Sequence, residues 1–199
     1  MTPQVAKTKC WRVLFLCTLL GLLTTACGSL YQVKPAVELP PLRATARTAE
    51  LGGLTLRFDP LLLDEDSQEL FEANLPLSGL LPVRVEVVHN GGDAVEFKRV
   101  RFRLRDAEGN QWKMISAKQA ISRILKANDI YAYNPQSRKT FEKEFRAYEL
   151  DLKSPLTRDE RQRQGFIIFQ SPKKEAVATA SGLVLSIEGL AQPVEIRLN

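Results

Sequence analysis

The sequence has few of the side chains that carry most enzymatic and metal chemistry. It contains three cysteines, Cys10, Cys17 and Cys27, all within its first 27 residues, and a single histidine, His89. Beyond Cys27, therefore, no thiol is left to form a disulfide, to ligate a metal or to act as a nucleophile. One histidine excludes zinc sites with two histidine ligands and leaves one candidate for a histidine general base.

His89 lies in a segment, Val88–Asp93, that is typical of a strand running into a turn. We expect a partly exposed turn residue there rather than a catalytic base. The sequence also lacks a Gly-rich phosphate loop, a nucleophile elbow and a carboxylate-rich calcium loop. It therefore predicts a non-catalytic protein with no metal site and no cofactor.

The N-terminal region contains an uncharged apolar run at residues 13–27, which follows the basic residues Lys7, Lys9 and Arg12. A helix needs about 20 apolar residues to cross the roughly 30 Å of hydrocarbon in a bilayer, so this run is too short for a membrane-spanning anchor. A basic leader followed by a short apolar stretch is typical of a cleaved signal peptide. The sequence predicts that residues 1–26 are removed.

The end of this run, Leu23-Thr24-Thr25-Ala26-Cys27, resembles the lipobox of bacterial lipoproteins, with Thr24 where a leucine is commoner. The resemblance implies that the Cys27 thiol takes a diacylglyceryl group and that Cys27 becomes the first residue of the mature chain. It also implies a lipid anchor in a membrane of the bacterial cell envelope. Because Gly28 is not an acidic retention signal, the resemblance favours the outer membrane.

The formal net charge of +5 arises mainly in the leader, which holds three of the 28 lysines and arginines and none of the 23 acidic residues. A nearly neutral mature chain has no general affinity for nucleic acid, so we expect no nucleic-acid partner. The stretch from Gly28 to Gly53 is rich in Pro, Ala and Thr, which is typical of a linker. We expect a lipidated flexible tether at residues 27–53 and a folded domain at residues 54–199.

Short segments with alternating apolar residues, together with one wholly apolar run suited to a central strand, predict about seven strands. They lie at residues 54–58, 83–87, 99–105, 111–114, 166–169, 183–187 and 194–198.

Two stretches show helical spacing instead. A capping box at Ser116 and Gln119 predicts a helix that runs to Leu125. A second helix is predicted from Ser137 to Leu152, with Pro155 ending it. Its four large apolar residues fall on one face: Phe141, Phe145, Tyr148 and Leu152.

Seven short strands without regular strand-helix alternation predict an immunoglobulin-like antiparallel β-sandwich with one or two short helical insertions. The segments Leu80–Gly92, Phe102–Trp112 and Gly165–Phe169 occur in an order that is similar to the telokin-like, immunoglobulin-like domains of exported bacterial lipoproteins of unknown function. This resemblance implies a β-sandwich and an envelope location, and it supplies no catalytic residues. The segment from Ser137 to Lys153 has no counterpart in it.

The most unusual local pattern is an arginine strip, Arg99, Arg101, Arg103 and Arg105, because alternation places four guanidinium groups on one face of a strand. One interpretation is a ladder of cross-strand ion pairs with Glu86, Glu96 or other carboxylates. The other is a docking surface for an anionic polymer or an acidic protein, since guanidinium groups bind phosphates and carboxylates with two parallel hydrogen bonds. A second cluster just before Gly165, with Arg158, Arg161 and Arg163, is interleaved with two acids, which predicts a solvated turn.

The sequence is compatible with two functions. The first is a non-catalytic, membrane-anchored envelope lipoprotein that acts as a structural or protein-interaction module. The alternative is a binding domain for an anionic envelope glycan or lipid, which would use the arginine strip. Carboxylates within ion-pair distance of the arginines favour the first function, and uncompensated guanidinium groups favour the second.

Overall fold

The computed structural model describes residues 33–35, 39–128, 135–177 and 180–199, and these residues form eight strands. All but the first follow segments that the sequence marks as strands. The strands are β1 (Arg47–Leu51), β2 (Leu54–Pro60), β3 (Leu80–His89), β4 (Arg101–Arg105), β5 (Gln111–Ile115), β6 (Gln162–Gln170), β7 (Val184–Glu188) and β8 (Val194–Arg197). They form one antiparallel sheet in the order β1-β2-β3-β6-β5-β4-β7-β8. Because β1 also contacts β8, the sheet is nearly closed. The mainly β class is therefore confirmed.

Three short helices accompany the sheet in the described residues: α1 (Asp64–Phe71), α2 (Ala117–Ala127) and α3 (Pro135–Arg146). The capping box of α2 is confirmed, since the Gln119 backbone N–H donates to the Ser116 hydroxyl and the Ser116 N–H donates to the Gln119 side chain. None of these helices is long and apolar enough to cross a bilayer.

The described residues form two hydrophobic cores, one on each face of the β3–β6 pair. The first core takes the inward side chains of β2 to β8, including Val83 and Val85 of β3 with Ile167 and Phe169 of β6. The second core lies between the opposite face of this pair and the three helices, and it includes Phe166 and Ile168. The prediction that residues 166–169 form a central strand covered on both faces is confirmed.

The second predicted helix is shorter than expected. It ends at Arg146, and the chain then runs along β6, where Leu150 N–H donates to Phe166 O and Phe166 N–H donates to Tyr148 O. Tyr148 packs with the aromatic rings of the second core, whereas Leu152 packs against the first core. The prediction of one helical face through Leu152, ended by Pro155, is therefore wrong.

The described part of the predicted tether is folded. Residues 47–51 form β1, which pairs with β2 along its whole length, and Leu42 and Val33 are buried. The folded region therefore starts before Leu54. The sequence carried no periodic signal for this, because the buried residues are isolated in a Pro-rich stretch.

One arginine fastens this N-terminal segment to the sheet and to α1. The Arg43 guanidinium contacts Asp59 Oδ1 of β2 at 2.6 Å and Asp66 Oδ2 of α1 at 2.6 Å. The hydrogen bond to the buried Asp59 carboxylate raises the pKa of Arg43, against the opposing effect of burial. These two ion pairs join the N-terminal segment to β2 and α1.

We expect Gly165→Ala to lower the free energy of unfolding by about 1–3 kcal/mol. A Cβ at this position would lie 2.6 Å from Leu150 Cα and 2.7 Å from Leu150 N, so the segment along β6 would have to move. Urea unfolding of the two proteins measures the difference. The control is Gln111→Ala at an exposed position of β5, which should change stability by less than about 0.5 kcal/mol. Equal stability of Gly165→Ala and wild type would show that this contact is not required.

Candidate functional site

The exposed surface of β4, β7 and β8 carries six charged side chains. Phe102 and Leu104 of β4 point into the first core, so the arginines between them point outward. The outward residues of β7 and β8 follow from their register with β4. We call this surface the basic sheet face and define it by Arg101, Arg103, Arg105, Ser186, Glu188, Glu195 and Arg197.

Two arginines of this face are ion-paired. Arg103 Nε lies 3.3 Å from Glu188 Oε2, and Arg105 Nη2 lies 3.1 Å from Glu195 Oε2. All four side chains are about half exposed, so each pair contributes only a few tenths to about 1 kcal/mol. The ion-pair interpretation therefore describes Arg103 and Arg105. The partners are other carboxylates of the neighbouring strands, as one alternative of this interpretation expected. Neither Glu86 nor Glu96 is a partner, and Glu86 on β3 pairs with Arg57 of β2.

Arg101 has a different environment. Its Nη1 donates to the backbone carbonyls of Lys98 at 2.9 Å and Val100 at 3.0 Å. Among the described residues, no carboxylate lies within 4.0 Å of the cationic groups of Arg101 or Arg197. Glu188 is the register partner of Arg101 but is directed to Arg103. The face thus carries four guanidinium groups and two carboxylates, and it is positive overall.

Arg99 does not belong to this face. It ends a short 3₁₀ turn, Phe97–Arg99, and β4 begins only at Arg101. The alternation fails here because Phe97 and Val100, three residues apart, are both buried in the first core. The prediction of four arginines on one strand face is therefore wrong for Arg99.

Arg99 instead lines a cleft of about 790 Å³ at one end of the sheet, between the β1–β2 turn, residues 93–99 and the β7–β8 turn. Lys98 also lines it, as do the carboxylate residues Asp93 and Glu96. The charges in the cleft balance, and its walls include Leu51, Leu54 and Leu190 among other residues. Nothing in this arrangement selects an anion.

The prediction of a solvated turn is wrong for Arg163. It is 8% exposed rather than solvated, and its guanidinium lies 5.7 Å from the centroid of the Phe97 ring. It donates to three backbone carbonyls, those of Asp151, Ser154 and Pro155, and to both carboxylate oxygens of Glu160. The hydrogen bond between the two side chains raises the pKa of Arg163 and lowers that of Glu160. Arg163 therefore closes the loop that precedes β6.

A second buried arginine lies on the outer face of β3. Arg84 is 5% exposed and donates to Gln164 Oε1 at 2.8 Å and to Pro40 O. Burial lowers its pKa. Glu86, two residues along the same face, accepts from Arg57 and Gln162. These groups join β2, β3 and β6 to the N-terminal segment, so they are structural.

His89 is buried, and the expectation of a partly exposed turn residue is wrong. Its Nε2 lies 3.0 Å from the backbone carbonyl of Asp93, and its backbone N–H donates to Arg161 O. A general base of the serine-hydrolase kind needs a carboxylate and a hydroxyl on its two ring nitrogens. Asp93 offers its main chain instead. In the part of the chain that the structure describes, no cluster of three His, Cys, Asp or Glu residues has a metal-binding arrangement.

Three comparisons with known proteins find no match for this chain. No family model matches it, and neither the curated proteins nor the solved structures give a match. The candidate site therefore depends on geometry and charge alone.

We expect the stability of the protein to fall in acid partly through Glu160. Because the folded-state pKa of Glu160 is lowered by Arg163, its carboxylate stabilises the fold at pH values above the ordinary value of about 4.3. That contribution is lost as the pH falls from there through the folded-state pKa. Urea unfolding over a pH series should show a smaller acid-dependent loss in Glu160→Gln than in wild type. Glu50→Gln on β1, an exposed position, is the control and should follow the wild-type curve. A Glu160→Gln curve parallel to wild type would contradict the assignment.

Proposed function

We propose that this protein is a non-catalytic lipoprotein of the bacterial cell envelope, anchored to a membrane through Cys27, whose β domain is a structural or protein-interaction module. The observation that carries the anchor is the lipobox-like end of the apolar run at Cys27. Cys27 and the run lie outside the described residues. The absence of an acid at residue 28 supports the outer membrane as the location.

The role as a structural or interaction module is supported by the hydrogen bonds of the buried charged and polar groups. Arg84, Arg163, Asp59 and His89 are buried, and each is bonded to neighbouring strands or loops. Such groups stabilise the fold and are not available to a substrate. The basic sheet face, by contrast, is exposed, and the described helices cover the opposite half of the sheet.

We further propose that the two halves of the sheet pack as an immunoglobulin-like sandwich. Two features support this. The first core takes side chains from both halves. In addition, β5 joins the halves, since it pairs with β4 through Gln111 and Trp112 and with β6 through Lys113 to Ile115. A strand that passes from one sheet to another is common at the corners of sandwiches.

The anchor is tested by metabolic labelling with a radioactive fatty acid. Wild-type protein should be labelled and should lose residues 1–26, because the Cys27 thiol is the acylation site. Cys27→Ser should abolish both labelling and cleavage after Ala26. Cys17→Ser is the control and should be labelled like wild type. Labelling of Cys27→Ser at the wild-type level would overturn the anchor.

A second candidate function, binding of an anionic envelope glycan or lipid, is favoured by one observation. Arg101 and Arg197 are exposed on the basic sheet face, and no described carboxylate pairs with either. An exposed guanidinium group without a carboxylate partner can bind phosphates or carboxylates through its remaining N–H groups.

Two double variants that remove the same charge test this second function. Arg101→Gln with Arg197→Gln should weaken retention on immobilised polygalacturonate and flatten its salt dependence, with stability nearly unchanged. Arg103→Gln with Arg105→Gln removes two cross-strand pairs, so it should cost about 0.5–2 kcal/mol of stability and weaken retention less. Retention of both variants equal to wild type across a salt series would exclude an anionic ligand for this face.

A further inference from the structure

We propose that the mature protein lies with helices α2 and α3 against the membrane that holds Cys27, and that exposed lysines and arginines of both helices contact anionic phospholipid headgroups. This proposal rests on the proposed anchor at Cys27. It adds an orientation and a second membrane contact. The basic sheet face would then point away from the bilayer.

The first argument is the short length of chain between the lipid and the fold. Val33 is buried in the second core, and the next residue, Lys34, is held by α1: its N–H donates to Leu70 O at 2.9 Å, and its Nζ lies 3.0 Å from Glu69 Oε1. Six residues from Cys27 to Val33 span at most about 22 Å when fully extended. The link between the lipid and the fold is therefore much shorter than the tether of residues 27–53 that the sequence predicts. The fold then stays close to the bilayer surface.

The second argument is the side of the fold at which the chain enters. Val33 packs in the core beneath the helices, on the outer face of the β3–β6 pair. In the strand order, β7 and β8 lie farthest from that pair, across the first core. Packed layers are separated by about 10 Å each, so the basic sheet face lies two layers from the point of entry. A link of about 22 Å cannot pass around the fold and bring that face to the bilayer.

The third argument is the charge of the helix surface. Helix α2 carries Lys118, Arg123 and Lys126 and no acid. Helix α3 carries Arg138, Lys139, Lys143 and Arg146 against Glu142 and Glu144. Apart from the half-buried Arg123, which donates to the carbonyls of Ser78 and Lys174, these cations are exposed.

Neighbouring acids leave most of this positive charge uncompensated. Glu142 is the one described carboxylate of α3 that forms ion pairs, at 2.9 Å from Arg138 Nε and 3.7 Å from Arg146 Nη2. Lys139 and Lys143 lie on the side of α3 opposite the buried Phe141 and Phe145, so they point outward. Helix α1 is acidic, but two of its carboxylates are paired with Lys34 and Arg43. We therefore expect the contact to be made through α2 and α3, which carry the uncompensated cations.

An anionic bilayer is the occupant that these observations favour. Basic clusters close to a membrane are attracted to acidic lipids over about one Debye length. A lipid anchor combined with such a cluster is a common two-part mode of membrane attachment. The anchor keeps the helix surface within that range, whereas a soluble acidic protein would have to compete with the bilayer for the same side.

The orientation can be measured with single introduced cysteines, because a mature chain acylated at Cys27 has no free thiol. Ser122→Cys on α2 and Ser186→Cys on the basic sheet face are matched substitutions, since each replaces a hydroxyl that donates one hydrogen bond, to Lys118 O and to Glu195 Oε1 respectively. The acylated protein, labelled with bimane, is reconstituted in vesicles of phosphatidylcholine with phosphatidylglycerol and a headgroup-nitroxide lipid. We expect quenching at residue 122 to exceed quenching at residue 186 several-fold. Equal quenching, or stronger quenching at residue 186, would overturn the proposal.

A charge variant separates attraction by acidic lipids from a purely mechanical effect of the link. Lys139→Gln with Lys143→Gln should reduce quenching at residue 122 at least twofold, as should high salt or vesicles of phosphatidylcholine alone. Arg103→Gln with Arg105→Gln removes the same charge from the basic sheet face and should leave that signal unchanged. Equal loss in both variants would contradict a specific helix surface. Failure of the anchor is distinguishable, because protein without acyl chains would not remain on phosphatidylcholine vesicles at all.

Discussion

The pairing of β3 with β6 is the interaction on which the rest of the structure depends. These strands are buried on both faces, so alternate residues of one short run, Phe166–Phe169, belong to two different cores. One core holds the two halves of the sheet together, and the other holds the three helices. Apolar burial on both sides contributes several kcal/mol for these large side chains. Loss of this pairing would disrupt both hydrophobic cores at once.

The same two strands also explain why the N-terminal segment is folded. The outer face of β3 changes along its length from apolar residues under the helices to Arg84 and Glu86. Buried charges are costly unless they are bonded. Residues 39–43 supply part of the cover, since Pro40 O accepts from Arg84 and Arg43 binds Asp59. Residues 39–43, which the sequence marks as part of a linker, thus supply hydrogen-bond partners for buried charged groups of β2 and β3.

The charged surface has two sides of different character. On the basic sheet face, Arg103 and Arg105 are ion-paired, whereas no described carboxylate pairs with Arg101 or Arg197. This arrangement agrees with the module that we propose, and it leaves two guanidinium groups able to bind anions. On the helix side, α2 and α3 carry exposed basic residues, and Val33, where the described chain begins, is buried in the core beneath the helices. An anchored protein with a membrane side and an outward side follows from our two proposals taken together.

The sequence by itself determined the features that depend on local chemistry. Alternation located most of the strands but not β1, the Ser116 capping box located the start of α2, and the apolar run at residues 166–169 indicated a strand buried on both faces. Tertiary structure alone decided which charges are buried, where α3 ends and where the fold begins. Arg163 reads as a solvated loop residue because its three carbonyl partners lie 8 to 12 positions away along a folded loop. Leu152 does not continue the helix because the backbone at Leu150 packs closely against Gly165 of β6. Such contacts depend on distant parts of the chain, which periodicity and local propensity do not encode.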